Sequence, residues 1–183
     1  MSLLVPLAAA VAWGTLALAG APDSVEYAVK AALVYKVARF VEWPKDSGCP
    51  DRAITVAVLG EDRFGDSLDR ALEGRKLGDH PVRVRRVTRA DEVPFCTVLW
   101  LGADQAHLLP VVADQVRARF VLVIGDAAGF ARRGGMIGLP VENERVVVEV
   151  NPEAASAGGV VISSRLVGVA RLVRSARAPQ GRP

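Results

Sequence analysis

Three stretches of this chain share one plan: a short apolar run ends in glycine and then meets a carboxylate. Ala53 to Leu59 leads into Gly60-Glu61-Asp62, Thr97 to Leu101 into Gly102-Ala103-Asp104, and Arg119 to Ile124 into Gly125-Asp126. A strand that faces water on one side alternates apolar and polar residues. A run without alternation belongs to a sheet covered on both faces, as parallel sheets are. Glycine at the end of each run lets the chain turn sharply off the sheet.

The segments between these runs supply the covering layers. Pro22 to Val41 predicts a first helix, with Tyr27, Ala31, Val34, Tyr35, Ala38 and Val41 at helical spacing. Asp23 and Glu26 have capping-box spacing at its start, and Pro44 disfavours helix at Trp43. Phe64 to Leu72 and Gln105 to Arg117 predict further helices, the second tolerating Pro110 only at a turn or kink. Val82 to Val87 alternates valine with arginine, which predicts a half-exposed strand near a sheet edge. Met136 to Leu139 and Arg145 to Val150 flank the polar turn Glu142-Asn143-Glu144 and predict an antiparallel hairpin. Asn151-Pro152 opens a short helical turn, and Ser163 or Ser164 caps a last helix through Arg174. The expected fold is α/β: a three-layer α/β/α sandwich with a mixed, mostly parallel sheet and an appended β-hairpin.

A chain of 183 residues, 51% of them apolar, suits one domain with a sizeable core. There is no repeat of solenoid length, no low-complexity tract and no interdomain linker. The net charge of +3 is spread along the chain and aromatics make up only 5%, so neither a basic tract nor a stacking platform points to nucleic acid.

Met1 to Ala21 carries no charged side chain and is rich in Leu, Ala and Val. Ala17-Leu18-Ala19 fits the small-x-small pattern of signal-peptidase cleavage before Gly20. Residues 1–19 therefore read as a signal peptide, 22–175 as the folded domain and 176–183 as a flexible tail. A retained membrane anchor is the alternative, since the apolar run approaches the ~20 residues of a span. Export implies an oxidising compartment, where Cys49 and Cys96 either pair or remain two unrelated thiols. A bridge would contribute about 3–4 kcal/mol by loop closure.

Four clusters are candidate binding sites for a partner or a ligand. Glu61, Asp62 and Asp126 fall at the carboxyl ends of strands, where α/β sheets hold ligands; carboxylates there favour an amine or a hydroxyl. Asp62 and Asp104 serve equally well as caps of the following helices. Arg132 and Arg133 precede the tight turn Gly134-Gly135 and either grip an anion or lie solvated at the surface. Ser163-Ser164-Arg165 reads as a helix cap, with Arg165 as a candidate anion contact. Trp43, with Phe40 and Val41, either forms an apolar docking patch or packs beneath the first helix.

The sequence has no Gly-x-Ser-x-Gly elbow, no phosphate-binding loop and no metal-ligand spacing around His80 or His107. The expectation is a non-enzymatic protein without cofactor or metal. A thiol enzyme built on Cys49 or Cys96 is the weakest of the readings.

Several motifs stand in order along the chain: Lys30-Ala31-Ala32-Leu33-Val34-Tyr35 with Phe40-Val41-Glu42-Trp43-Pro44, then Val58-Leu59-Gly60-Glu61-Asp62-Arg63-Phe64-Gly65. Gly125-Asp126, Gly129-Phe130-Ala131-Arg132-Arg133-Gly134-Gly135-Met136-Ile137, Ile162-Ser163-Ser164-Arg165-Leu166 and Ala170-Arg171-Leu172-Val173 follow. In these the chain resembles the YfiR-like family of small exported bacterial proteins. The resemblance implies a periplasmic protein that dimerises and represses a membrane-bound diguanylate cyclase, or a related sensor, by binding its periplasmic domain. Such repression would lower cyclic-di-GMP and restrain biofilm formation, and disulfide redox state would tune it. The cysteines depart from the family: Cys96 matches a family position, but its usual mate lies near Ala57, inside the preceding strand, and Cys49 stands eight residues earlier. The alternative function is a periplasmic small-molecule sensor module.

Overall fold

The computed structural model describes residues 22–43, 53–95, 97–117 and 119–176. The proposed signal peptide, Cys49, Cys96 and nearly all of the tail lie outside the described residues.

The first helix, α1, runs from Pro22 to Ala38 and buries Tyr27, Lys30, Ala31, Val34, Val37 and Ala38 along one face. It ends three residues before the expected Val41. Val41 instead forms an antiparallel bridge with Ile162, and the Trp43 indole donates to the Ala38 carbonyl at 2.9 Å. That tertiary pairing outweighs the apolar spacing that would have continued the helix.

Strand β1 (Ile54–Leu59) leads through α2 (Asp66–Leu72) and the two-residue β2 (Lys76–Leu77) into β3 (His80–Val87). Next come β4 (Thr97–Leu101), a 3-10 stretch at Ala103–Leu108, α3 (Leu109–Gln115) and β5 (Val121–Gly125). Pro110 sits in the first turn of α3, where its missing N–H costs nothing. The chain closes with β6 (Ile137–Gly138), β7 (Val141–Glu142), β8 (Arg145–Val146), β9 (Glu149–Val150), α4 (Pro152–Ala157), α5 (Ser164–Val167) and β10 (Arg171–Leu172).

The main sheet has eight strands in the order β10-β9-β6-β5-β4-β1-β3-β2. The pairs from β6 to β3 are all parallel, whereas β2 and β9 join antiparallel. Trp100 aligns with Val58 and Ile124 on the face covered by α1 and α2. Leu99 aligns with Ala57 and Val123 on the opposite face, and α3 and α4 lie over Val123. The architecture is the expected three-layer α/β/α sandwich. In β3, Val82 and Val84 are half-buried while Arg83 and Arg85 are exposed, the alternation read from the sequence.

Two expected elements are reorganised. The stretch predicted as one hairpin is divided between two sheets. Ile137 pairs with Val150 inside the main sheet, while Val141–Glu142 and Arg145–Val146 form a separate ribbon. Asn143 and Glu144 close that ribbon with φ of 48° and 61°, the left-handed pair that a two-residue hairpin turn requires. The last helix stops at Gly168 rather than at Arg174. The chain beyond it joins the sheet edge, where the Arg171 and Val173 amides donate to the Val148 and Val150 carbonyls, each at 2.9 Å. No helix among the described residues is long and apolar enough to cross a membrane.

Candidate functional site

Chain order reverses between β1 and β4: β3 lies on one side of β1, and β4, β5 and β6 extend on the other. A doubly wound sheet opens its ligand crevice at the carboxyl ends of such a pair. Here the protein's own carboxylate fills it. Both oxygens of Asp104 accept from the Glu61 amide at 3.2 Å, and the Gly102 amide donates to the Leu59 carbonyl at 2.9 Å. A Cβ on Gly60 would stand 2.7 Å from Asp104 Oδ1, and one on Gly102 would also collide with it. Glycine is needed at both strand ends to admit that side chain. Asp104 was expected to cap the helix that follows it. It caps the neighbouring strand's turn instead, because the parallel register brings the two loops side by side.

Asp62 is equally committed. It accepts from the Phe64 amide at 3.0 Å and from Arg86 Nε at 2.8 Å. Arg86 also grips both oxygens of Asp69 and reaches the Gly65 carbonyl. This fork holds the Asp69 carboxyl below its ordinary value and pushes the Arg86 guanidinium above its own, the hydrogen bond being the main cause in both. Glu61 itself stays exposed at the rim.

Asp126, just past β5, is the one strand-end acid that is deeply buried, its side chain only 4% exposed. Tyr27 donates its hydroxyl to Asp126 Oδ2 at 2.6 Å, and the Lys30 ammonium reaches the same oxygen at 2.6 Å. Lys30 also pairs with Glu26 one helical turn away. The other oxygen, Asp126 Oδ1, is buried and has no hydrogen-bond partner. The Tyr27 ring meets Phe64 and Trp100 edge-on at 5.3 and 6.3 Å, with Lys30 and Arg63 over it at 4.5 and 4.8 Å. Burial first, then the Asp126 hydrogen bond, pushes the Tyr27 hydroxyl above its ordinary value. The phenol donates to the carboxylate, which forms a buried ion pair with Lys30.

The remaining candidates lie apart from that edge. Arg132 and Arg133 are exposed on a 3-10 turn, Ala131–Arg133, that Gly134 closes at a φ of 102°. Arg132 adds its charge to the Arg171 hydrogen bond that lowers the Glu142 carboxyl. Ser163 caps α5 by accepting from the Arg165 amide at 3.3 Å. Arg165 lines an open cleft with Lys36, Arg39, Phe40, Val41 and Glu42. Trp43 is half-buried beneath the end of α1 and lines a separate cleft with Lys76 and His80. No group of three potential metal ligands occurs among the described residues.

Sequence reasoning named Asp126 but passed over Tyr27 and Lys30 as its partners. The available signal was Lys30 itself. It lies three residues after Tyr27 on the same stripe as Ala31 and Val34, and a lysine on the buried face of a helix needs a buried carboxylate.

No curated protein matches this chain. A family model described as YfiR/HmsC-like matches residues 27–171. The matched span begins at Tyr27 of the buried cluster, takes in the main sheet from β1 to β9 and ends at Arg171 in its edge strand β10. This match over most of the chain leads to one assignment: the chain belongs to the YfiR/HmsC-like family.

Proposed function

We propose that this protein is a periplasmic, non-enzymatic regulator that represses a membrane-bound diguanylate cyclase, or a related sensor, by binding its periplasmic domain. The observation that carries this reading is the use made of the sheet's carboxyl edge. The crevice between β1 and β4 is filled by Asp104, Asp62 is spent on Arg86, and Asp126 is locked by Tyr27 and Lys30. Groups that an enzyme would keep free and poised are consumed in holding the fold. Membership of the YfiR/HmsC-like family supports a role in cyclic-di-GMP signalling, and the apolar, uncharged Met1 to Ala21 supports export. The regulator acts as a homodimer, and Cys49 and Cys96 are candidates for its disulfide.

Co-purification tests the proposal. The tagged protein is expressed with candidate membrane cyclases or sensors from the same cell, and retained proteins are identified after detergent extraction. The expected result is stoichiometric recovery of one such protein through its periplasmic domain. Recovery of none would contradict the proposal.

A further inference from the structure

Lys36 stands in the last turn of α1, Arg39 just past it and Arg165 in the first turn of α5, and all three are exposed. They line one open cleft of about 600 Å3, together with Phe40, Val41, Glu42 and Ser163. The walls of the cleft are fixed. The Ser163 amide donates to the Phe40 carbonyl at 2.8 Å and the Glu42 amide to the Val161 carbonyl at 3.0 Å, around the Val41–Ile162 bridge.

Cations at a helix end ordinarily serve its free carbonyls. Here the Ala38 carbonyl takes the Trp43 indole and the Val41 amide, and the Phe40 carbonyl takes Ser163. The three cations also have no carboxylate partner among the described residues, whereas Arg89 has one and Arg86 and Arg171 have two each. Among the described residues, three cations against one carboxylate, Glu42, leave an excess of two positive charges (three minus one) lining the cleft. Such a concavity concentrates anions.

We infer that this cleft binds a phosphate-bearing anion. The guanidinium forks of Arg39 and Arg165 match phosphate oxygens, Lys36 adds a point charge, and Phe40 and Val41 offer an apolar surface to the carbon next to the phosphate. A phosphomonoester brings a charge of about −1.5 to −2, close to the local excess. The source is either a lipid headgroup or a soluble phosphomonoester. The inference goes beyond the cyclase reading and does not depend on it.

Two probes test it on the purified protein: glycerol 1-phosphate by calorimetry, and phosphatidic acid–phosphatidylcholine vesicles by flotation. The wild type is expected to bind at least one probe. Arg39→Gln with Arg165→Gln should weaken that binding about tenfold or more, while Arg70→Gln with Arg85→Gln, the same charge removed elsewhere, should leave it within about twofold. Lys36→Gln alone provides a milder variant, expected to weaken binding about threefold, should the double substitution fail to fold. Binding of the soluble probe alone assigns the cleft to a free phosphomonoester; binding of vesicles alone assigns it to a lipid headgroup. Failure of both probes, or equal weakening by both double variants, would overturn the inference.

Discussion

Lys30 Nζ and Asp126 Oδ2 lie 96 positions apart in the chain and 2.6 Å apart in space. The pair ties the middle of α1 to the carboxyl end of β5 and so fixes how the helix layer lies on the sheet. Both side chains are almost wholly buried, at 3% and 4% exposure. In such a setting the loss of one partner strands the other charge without water.

Lys30→Met is accordingly expected to destabilise the protein by about 3–5 kcal/mol in chemical denaturation, and Asp126→Leu by a similar amount. The double variant should lose clearly less than the sum, because the one charge it leaves without a partner, Glu26, is 30% exposed and reaches water. Additive losses in the double-mutant cycle would show that the two residues do not act as a pair.

Tyr27 gives the fold an alkaline limit. Its hydroxyl is pushed above the ordinary 10.0 by burial and by the bond to Asp126, so the folded chain keeps a proton that the unfolded chain releases. The contribution is full below pH ~10 and is lost as pH rises past that value. Denaturation midpoints followed from pH ~8 to ~11 should fall at the alkaline end, and Tyr27→Phe should flatten that fall. An unchanged slope in the variant would remove Tyr27 from the account.

Asp69 works in the opposite direction. Its carboxyl is held below 3.8 chiefly by the Arg86 hydrogen bond, so its contribution is present above that pH and lost as pH falls below it. Both side chains are about half exposed, which limits the effect. Arg86→Ala should cost roughly 0.5–1 kcal/mol at neutral pH, and less at pH ~2. A cost that does not change with pH would contradict the ion pair.

Glycines on the carboxyl edge should not respond alike. Gly60 and Gly65 both have positive φ, 106° and 52°, but only Gly60 faces the Asp104 carboxylate, whereas a Cβ on Gly65 meets nothing. Alanine should cost about 1 kcal/mol at Gly65 and distinctly more at Gly60. Asp104→Ala combined with Gly60→Ala should recover part of the difference in thermal melts.

The parts of this fold legible in sequence are those fixed by burial on both sides. Ile54–Leu59, Thr97–Leu101 and Val121–Gly125 show unbroken apolar runs because α-helical layers cover both faces of the central strands. Long-range pairing was not legible. Val41 left its helix for Ile162, and Arg171 and Leu172 left theirs for β9, although each carried the local spacing of a helix. Gly168 was the stop signal that this spacing masked. Among the candidate site residues, Asp62 and Asp104 read as caps of the following helices, and neither caps one: Asp62 accepts from the Phe64 amide ahead of α2, and Asp104 serves a turn more than forty residues earlier, because register between parallel strands is invisible to local pattern. Lys30 was hidden by the apolar company it keeps.

Regulation from the periplasm is tested most directly by the cell's cyclic-di-GMP level. The measurement compares cells lacking the gene with cells complemented by the whole chain or by one begun at Gly20 without its leader. The account predicts a raised level on deletion, return to normal with the whole chain and no return with the leaderless form. An unchanged level on deletion, or full restoration by the leaderless form, would contradict it.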